Sequence, residues 1–252
     1  MIETTIIDDY KILEYKKTNV YVIENIIDDK FCNDVIKIIE TVPLKKTFYV
    51  AGNNVQCYDS SIEELLKKND ELYYSFSNDP SEYNRLLNIA KSNNSVSTNA
   101  LNGIKLLEIN YIKDNINIVI SKIDDLMKCI NDRICFEYNT GYILRKIYGP
   151  TRLHSDGINK ILDDCELVFI KDNRNGHQKM VRNCTLIFCL NDNYDGGIIN
   201  FPYYDISIKL KKGSVILFPP FWTHQHEVSE LLNNTFRYTI TTWSCEKVFT
   251  DL

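Results

Sequence analysis

The second half of the chain is a series of short runs rich in Ile, Val, Phe, Tyr and Thr, and turn residues separate these runs. Segments such as NDNYDGG, KKGS, FPP and LLNNT supply the Gly, Pro, Asn and Asp that turns require. Short strands at this spacing are typical of an all-β sandwich or barrel. The predicted strands are 141–148, 165–171, 183–191, 197–201, 206–210, 214–218 and 236–244, with a further short strand at 223–228.

The first 135 residues are predicted to be mainly helical. Apolar side chains recur at helical spacing, a Ser61-x-x-Glu64 capping-box pattern starts one segment, and Pro80 precedes another. The predicted helices are 28–42, 60–70, 81–92 and 117–134.

Helices followed by seven or eight strands predict an α+β fold that is mainly β. The expected architecture is a jelly roll, or cupin-like double-stranded β-helix, braced by N-terminal helices on one outer face. No linker divides the chain, so we expect a single domain over 1–252. It comprises a helical support region at 1–135 and a jelly-roll core at 136–248.

Composition excludes several classes of protein. A net charge of -5 and a pI near 5.5 argue against a nucleic-acid partner, because proteins that bind nucleic acids usually have a basic surface. No apolar run approaches the roughly 20 residues that a membrane-spanning helix needs. The N-terminal sequence also lacks the pattern of a secretory signal, so we expect an intracellular, cytoplasmic protein without a membrane partner. Eight cysteines without a C-x-x-C pair are expected to be reduced thiols in the core.

A histidine and an aspartate lie two residues apart in TRLHSDGI, as His154 and Asp156. On an extended chain both side chains project to the same face and could chelate one ion. H-x-D alone occurs by chance in about one chain in three of this length, so a third ligand is needed. Later in the chain His224 and His226 are both candidates for it, whereas His177, in KDNRNGHQK, is expected in a solvent-exposed loop. Two imidazoles and one carboxylate are the ligand set of non-haem iron(II) oxygenases.

Arg237 lies in the last predicted strand, in NNTFRYTITTW. A planar guanidinium pairs bidentately with a carboxylate, so an inward-facing arginine near a metal suits a dicarboxylate cosubstrate. A surface arginine at a strand end is the alternative, and it is the preferred interpretation when Arg237 is considered by itself.

Four ordered segments between residues 138 and 245 share the motifs of one enzyme family. They are RLHSDG, RNCTLIFCLNDNYDGGIINFP, KLKKGSVILFPPFWTHQHEV and RYTITTW. These segments resemble the iron(II)- and 2-oxoglutarate-dependent oxygenases, and within them the prolyl 4-hydroxylase-like group. The resemblance implies a dioxygenase that uses Fe(II) and 2-oxoglutarate, with O2 as cosubstrate and ascorbate as an optional reductant. Its reaction couples decarboxylation of 2-oxoglutarate to succinate with hydroxylation of a C–H bond.

The resemblance also implies a metal-ligand set and an anchor. His154, Asp156 and His226 would hold the iron, and Arg237 would hold the far carboxylate of 2-oxoglutarate. His226 is preferred to His224 because its gap of 11 residues to Arg237, against 13 from His224, is closer to the family's spacing. Related halogenating enzymes lack the carboxylate ligand, so its presence favours hydroxylation.

The family places a tyrosine from the preceding strand on the same cosubstrate carboxylate. Tyr142 and Tyr148 both compete for this role, and Tyr148 is preferred. Nearby, FPPFW at 218–222 is predicted either to line the mouth of the site with aromatic surface or to bury Trp222 under a turn. The segment 157–181 is predicted to be a flap over the site or a plain surface hairpin.

The substrate is less well indicated than the chemistry. Proline in a peptide or protein is the preferred substrate, but arginine stands where collagen-type prolyl hydroxylases usually have lysine. The same chemistry on lysine, a free amino acid or another small molecule is therefore an alternative. A non-catalytic jelly-roll binding module is an alternative of another class. The sequence does not indicate an oligomeric state.

Overall fold

The computed structural model describes residues 1–42, 45–47, 57–67, 98–134, 136–157, 170–172, 176–178 and 180–247. The predicted helix at 81–92 and most of the predicted strand at 165–171 lie outside these ranges. Of the described helices, none is long and apolar enough to cross a membrane.

The described helices are α1 (Asp29–Ile39), α2 (Ile62–Lys67) and α3 (Thr98–Lys128). At the start of α1 the Asp28 carboxylate accepts a hydrogen bond from the Phe31 amide at 2.7 Å, which satisfies a donor that the helix leaves unpaired. The predicted capping pattern is present at α2, where Ser61 Oγ accepts from the Glu64 amide at 3.3 Å. The predicted helix at 117–134 is the second half of α3, which ends at Lys128.

The described strands form two larger sheets and two two-stranded sheets, β9 with β10 and β12 with β17. The main sheet runs in the order β1-β2-β3-β15-β11-β18-β7-β5-β4, with β6 also on β18, and the small sheet runs β14-β13-β16-β8. In sequence order the bounds are β1 Ile2–Ile7, β2 Tyr10–Tyr15, β3 Val20–Glu24, β4 Lys45–Thr47, β5 Cys57–Ser61, β6 Tyr138–Asn139, β7 Ile143–Ile147, β8 Thr151–His154, β9 Ile170–Asp172, β10 Gly176–Gln178, β11 Met180–Cys189, β12 Asp195–Gly196, β13 Ile199–Phe201, β14 Ile206–Ile208, β15 Val215–Phe218, β16 His226–Val228, β17 Leu231–Leu232 and β18 Arg237–Lys247. All described strand pairs are antiparallel, as a jelly roll requires.

The prediction that the first 135 residues are mainly helical is wrong for the N-terminal segment. Strands β1, β2 and β3 extend the main sheet through the pairing of β3 with β15. Asp8 and Asp9, with φ of 48° and 68°, form the two-residue turn between β1 and β2. Positive φ at both turn residues matches the twist of a tight hairpin, and Asp tolerates this conformation better than most residues.

Two hydrophobic cores lie on opposite faces of the main sheet. The outer core packs the apolar stripes of α1 and α3, including Val35 and Ile116, against Leu186 and Leu217 of the sheet. The inner core lies between the main and small sheets and contains Ile147, Ile187, Ile199, Phe201, Ile216, Phe218 and Val228. This arrangement confirms the predicted jelly roll braced by helices on one outer face. Side chains on the inner faces of both sheets can therefore converge in one place.

Candidate metal centre

Three predicted metal ligands converge between the two sheets. His154 ends β8, His226 begins β16, and the register of these antiparallel strands places the two histidines opposite each other. Asp156 follows β8 by two residues, as the H-x-D spacing predicts. One ligand atom from each of His154, Asp156 and His226 lies within 4.8 Å of the others. The Nε2 atom of His154 is 3.5 Å from Asp156 Oδ1, and that of His226 is 4.0 Å from Asp156 Oδ2.

Both histidine rings present the same nitrogen to the centre. His154 Nδ1 lies 2.8 Å from the Arg152 carbonyl oxygen, and His226 Nδ1 lies 3.2 Å from the His224 carbonyl oxygen. A carbonyl only accepts, so each Nδ1 carries a proton and each Nε2 faces Asp156, where it can bind a metal when it carries no proton. Metal-binding histidines are usually fixed by such a bond from the second ring nitrogen. The donor set therefore fits a divalent metal ion such as iron(II).

Asp156 is held as a carboxylate. Burial raises its pKa, but the hydrogen bond from His154, the charges of both histidines and the Thr185 hydroxyl together hold that pKa well below its usual value. Thr185 Oγ1 donates to Asp156 Oδ2 at 2.9 Å, which fixes the orientation of the carboxylate. The following residue, Gly157, is closely packed, since a Cβ atom there would lie 2.7 Å from the Pro220 carbonyl oxygen. The turn after β8 is thus constrained against the 219–221 loop.

The two histidines differ in their electrostatic environment. Burial lowers the pKa of His226 to about 4. The positive charges of His154 and Arg237 also lower this pKa, whereas the Asp156 carboxylate raises it. Burial also lowers the pKa of His154, but the hydrogen bond and charge of Asp156 outweigh it, and the pKa lies above its usual value. At neutral pH His226 is a neutral ring that can bind a metal without losing a proton.

His224, the alternative third ligand, does not join the cluster. Residues 222–224 form a 3-10 turn, so the predicted strand begins only at His226, and the two histidines do not share a face. The His224 side chain instead contacts the Thr18 carbonyl oxygen and Thr223 Oγ1, and its ring lies 5.1 Å from that of Tyr204. It links this turn to the N-terminal part of the main sheet.

Arg237 begins β18 and faces the interior between the sheets. Its side chain is 3% exposed, and its guanidinium donates to the Gly197 carbonyl oxygen at 3.2 Å. The charge of Arg237 lowers the pKa of His226, Tyr194 and Cys189, so the guanidinium lies near the metal centre and on the inner face. A buried cation at this position suits an anionic ligand. The surface alternative for Arg237 is wrong.

The two tyrosines predicted to contact the cosubstrate, Tyr142 and Tyr148, lie in different environments. Tyr142 faces the opposite side of the sheet, where its hydroxyl donates to Asn117 Oδ1 of α3 and accepts from Asn139 at 3.3 Å. Its predicted contact with the cosubstrate is therefore wrong, because β7 turns this residue toward the helices. Tyr148 packs edge-on against Phe236 at 5.8 Å, and its predicted role stays a prediction.

Sequence reasoning missed several polar side chains of the inner face. Thr239, Thr241 and Trp243 alternate with outward-facing residues along β18, as does Arg237, and Thr185 lies opposite Trp243 on β11. The period-2 rule applied from Arg237 could have identified the first three. Thr239 is fully buried, and within the described residues its hydroxyl has no hydrogen-bond partner.

Aromatic side chains are exposed near the turn that contacts Gly157. Phe221 and Trp222 are 44% and 73% exposed, so the predicted burial of Trp222 under a turn is wrong. Gly157 donates to the Pro220 carbonyl oxygen at 2.5 Å, which connects this turn directly to the segment that carries Asp156. The segment 157–181, predicted to be a flap over the site or a plain surface hairpin, is described only in part, and its strands β9 and β10 form a hairpin.

A jelly roll with two histidines and a carboxylate between its sheets defines the class of non-haem iron oxygenases. Residues 147–245 match the family model of the 2OG-Fe(II) oxygenase superfamily, a range that includes all three clustered side chains and Arg237. This match assigns the β-rich part of the chain to that superfamily, and the protein is a 2-oxoglutarate-dependent dioxygenase whose cofactors are Fe(II) and 2-oxoglutarate. No curated protein sequence matches the chain significantly.

Solved structures resemble most of the chain at low sequence identity. A prolyl hydroxylase from Trichoplax adhaerens, in complex with a peptide fragment of the hypoxia inducible factor oxygen degradation domain, is 14% identical with a TM-score of 0.51 and covers 90% of this chain and 84% of its own. The viral collagen prolyl hydroxylase of Paramecium Bursaria Chlorella virus-1, in complex with 2-oxoglutarate, is 15% identical with a TM-score of 0.49, covering 91% and 96%. At these identities the likeness to the first structure supports the fold alone.

Proposed function

We propose that the protein hydroxylates a proline residue in a peptide or protein, as a prolyl 4-hydroxylase-like enzyme. The observation that carries this proposal is the convergence of His154, Asp156 and His226 beside the buried guanidinium of Arg237. A peptide substrate is supported by the exposed aromatic side chains of Phe221 and Trp222 next to the metal centre. The related fold that binds a peptide in the Trichoplax enzyme is consistent with this choice.

The chain's own residues supply binding and orientation. His154, Asp156 and His226 would hold iron(II), and Arg237 would hold the far carboxylate of 2-oxoglutarate through its planar fork. Bound together, iron(II) and 2-oxoglutarate supply the oxidation, in which the cosubstrate and dioxygen become succinate and carbon dioxide and one oxygen atom enters the substrate C–H bond. Thr185 orients the Asp156 carboxylate, and the carbonyl oxygens of Arg152 and His224 fix the histidine rings.

Apolar side chains close one side of the centre. The His226 ring lies 4.7 Å from that of Phe218 and 5.6 Å from that of Phe201, both fully buried. These rings exclude water from the inner end, so an ion pair between Arg237 and a dicarboxylate would form in a poorly solvated site. The open approach is then from the side of Asp156 and the exposed aromatic turn.

We also infer that residues 1–252 act as one domain. The outer core joins side chains of α1 and α3 to Leu186 and Leu217 of the jelly roll, and β3 pairs directly with β15. The N-terminal region therefore supports the core sheet from both its edge and its outer face.

Succinate release against a substrate panel tests the proposed function. Purified protein with iron(II), 2-oxoglutarate and oxygen is incubated separately with proline-rich peptides, lysine-containing collagen-like peptides and free amino acids. The masses of the products are determined by mass spectrometry. We expect succinate in proportion to peptides that gain one oxygen atom at proline. Product from free amino acids alone, or from lysine peptides alone, would exclude the proline proposal while leaving the oxygenase chemistry in place.

A further inference from the structure

The indole ring of Trp243 lies beside the metal centre on the inner face of β18. In the strand register it faces Thr185, whose hydroxyl donates to the Asp156 carboxylate at 2.9 Å. Trp243 is 7% exposed. This ring therefore lies on the Asp156 side of the site, away from Arg237, where a substrate and not the cosubstrate would approach.

Arg182 covers this ring. Its guanidinium carbon is 4.1 Å from the ring centroid of Trp243, and its NH1 donates to the main-chain carbonyl oxygen of Asp156 at 2.7 Å. Because this carbonyl oxygen is uncharged, the hydrogen bond does not neutralise the positive charge of Arg182. A guanidinium that stacks through its face keeps the N–H groups at its rim for further acceptors.

The indole adds a second donor. Within the described part of the chain, Trp243 Nε1 is buried and has no hydrogen-bond acceptor. Buried N–H groups in native proteins are nearly always paired, so a ligand that supplies an acceptor would complete this site. A guanidinium and an indole N–H side by side donate only, and their shared complement is an oxygen anion.

Arg145 adds a second positive charge near the ring. It lies on the inner face of β7, 5.8 Å from the Trp243 centroid, and donates to Thr241 Oγ1 at 3.1 Å. Its charge also acts on His154, where it lowers the pKa.

We propose that Arg182 and Trp243 form a carboxylate-binding subsite beside the metal centre, so that the substrate carries a carboxylate near the carbon that is hydroxylated. This proposal rests on the proposed function and narrows its substrate class. A planar carboxylate has two oxygens that can accept from the guanidinium rim and the indole N–H together. It can come from the α-carboxylate of a C-terminal proline, or from an acidic side chain next to the target proline.

Tryptophan fluorescence measures occupancy of this subsite directly. The chain contains two tryptophans, and a Trp222→Phe background leaves Trp243 as the reporter. Manganese(II) replaces iron so that no turnover occurs, and saturating 2-oxoglutarate fills the Arg237 end. Two matched pairs of probes are titrated: N-acetyl-L-proline against N-acetyl-L-prolinamide, and N-acetyl-prolyl-aspartyl amide against N-acetyl-prolyl-asparaginyl amide.

We expect the acid of at least one pair to bind about tenfold or more tightly than its amide, since a charged acceptor roughly doubles the strength of these bonds. The acid of the first pair binds more tightly than its amide if the carboxylate is that of the target proline. The acid of the second pair binds more tightly if the carboxylate is on the side chain that follows the proline. Arg182→Gln should reduce the preference to within roughly twofold, whereas Arg182→Lys should retain part of it.

Equal binding of acid and amide in both pairs would overturn the subsite, as would an acid preference that Arg182→Gln leaves intact. The acid and amide comparison needs no variant of Arg182, so misfolding of Arg182→Gln does not affect it. The outcome is also separable from the proposed function. Iron- and 2-oxoglutarate-dependent succinate release without acid preference refutes the subsite alone, and its absence with every substrate refutes the proposed function.

Discussion

The Thr239 hydroxyl makes a specific prediction about 2-oxoglutarate. Thr239 follows Arg237 by two residues on the inner face of β18, is fully buried, and within the described residues has no hydrogen-bond partner. If Arg237 holds the far carboxylate of 2-oxoglutarate, this hydroxyl lies on the same face to donate a second bond. Thr242 is a matched control, because its hydroxyl is equally buried and unpartnered in the described residues but pairs with Leu186 on the outer-core side.

Replacement by valine separates two effects. A buried hydroxyl without a partner costs about 1–3 kcal/mol, so Thr239→Val and Thr242→Val should each raise the free energy of unfolding of the ligand-free protein, by about 1 kcal/mol. Loss of a hydrogen bond to a charged group costs about 1.5–3 kcal/mol. Thr239→Val alone should therefore weaken 2-oxoglutarate binding by roughly 10- to 100-fold.

Thermal unfolding with and without 2-oxoglutarate measures both effects in one assay, in the presence of manganese(II). A ligand that binds the folded state raises the melting temperature by an amount that grows with the logarithm of its concentration divided by its Kd. At one 2-oxoglutarate concentration the ligand-induced shift should therefore shrink in Thr239→Val and persist in Thr242→Val. An equal shift in both variants would refute the assignment of Thr239 to the cosubstrate site. Destabilisation of the ligand-free protein by Thr239→Val would show that its hydroxyl already has a partner.

Three further predictions concern the metal and the substrate. Thr185→Val removes the hydrogen bond that orients Asp156 and should weaken metal binding by about 10- to 100-fold in a calorimetric titration, whereas Thr185→Ser should keep it; equal affinities would contradict the role of Thr185. The pKa of His154 lies above its usual value, so a metal must displace its proton, and metal affinity should fall by up to about tenfold per pH unit below that pKa; an affinity that rises on acidification is the contrary result. Trp222→Ala should leave the melting temperature unchanged, because this side chain is 73% exposed. It should raise KM for a peptide more than KM for a free amino acid. If the substitution changes both KM values by the same factor, Trp222 does not belong to the substrate site.

Sequence periodicity predicted the core of the fold because the inner strands bury both faces. The expected strands at 183–191, 214–218 and 236–244 correspond to β11, β15 and β18, whose residues pack into the inner and outer cores. The N-terminal hairpin was missed because IETTII is the edge strand and YKILEY is its neighbour, and most side chains of both strands remain at least partly exposed. Their alternation is weak, and the Asp8–Asp9 turn resembles the acidic start of a helix.

The metal centre was predictable to the extent that it depends on local spacing. H-x-D at the end of a strand places two side chains on one face whatever the tertiary structure, and the register of β8 and β16 supplies the third. The choice between His224 and His226 could not come from spacing within an extended segment, because a 3-10 turn interrupts it. Thr185 bonds to Asp156, and Trp243 lies opposite Thr185 only through the pairing of β11 with β18, which single-strand patterns do not reveal.

An anaerobic titration of the protein with iron(II) in the presence of 2-oxoglutarate tests the central claim most directly. The account predicts one iron bound per chain with a visible absorption band that requires both components. His226→Gln should abolish the band, and His224→Gln should keep it in protein that melts as a folded chain. A band that survives His226→Gln, or that disappears only in His224→Gln, would contradict the assignment of His154, Asp156 and His226 as the metal centre.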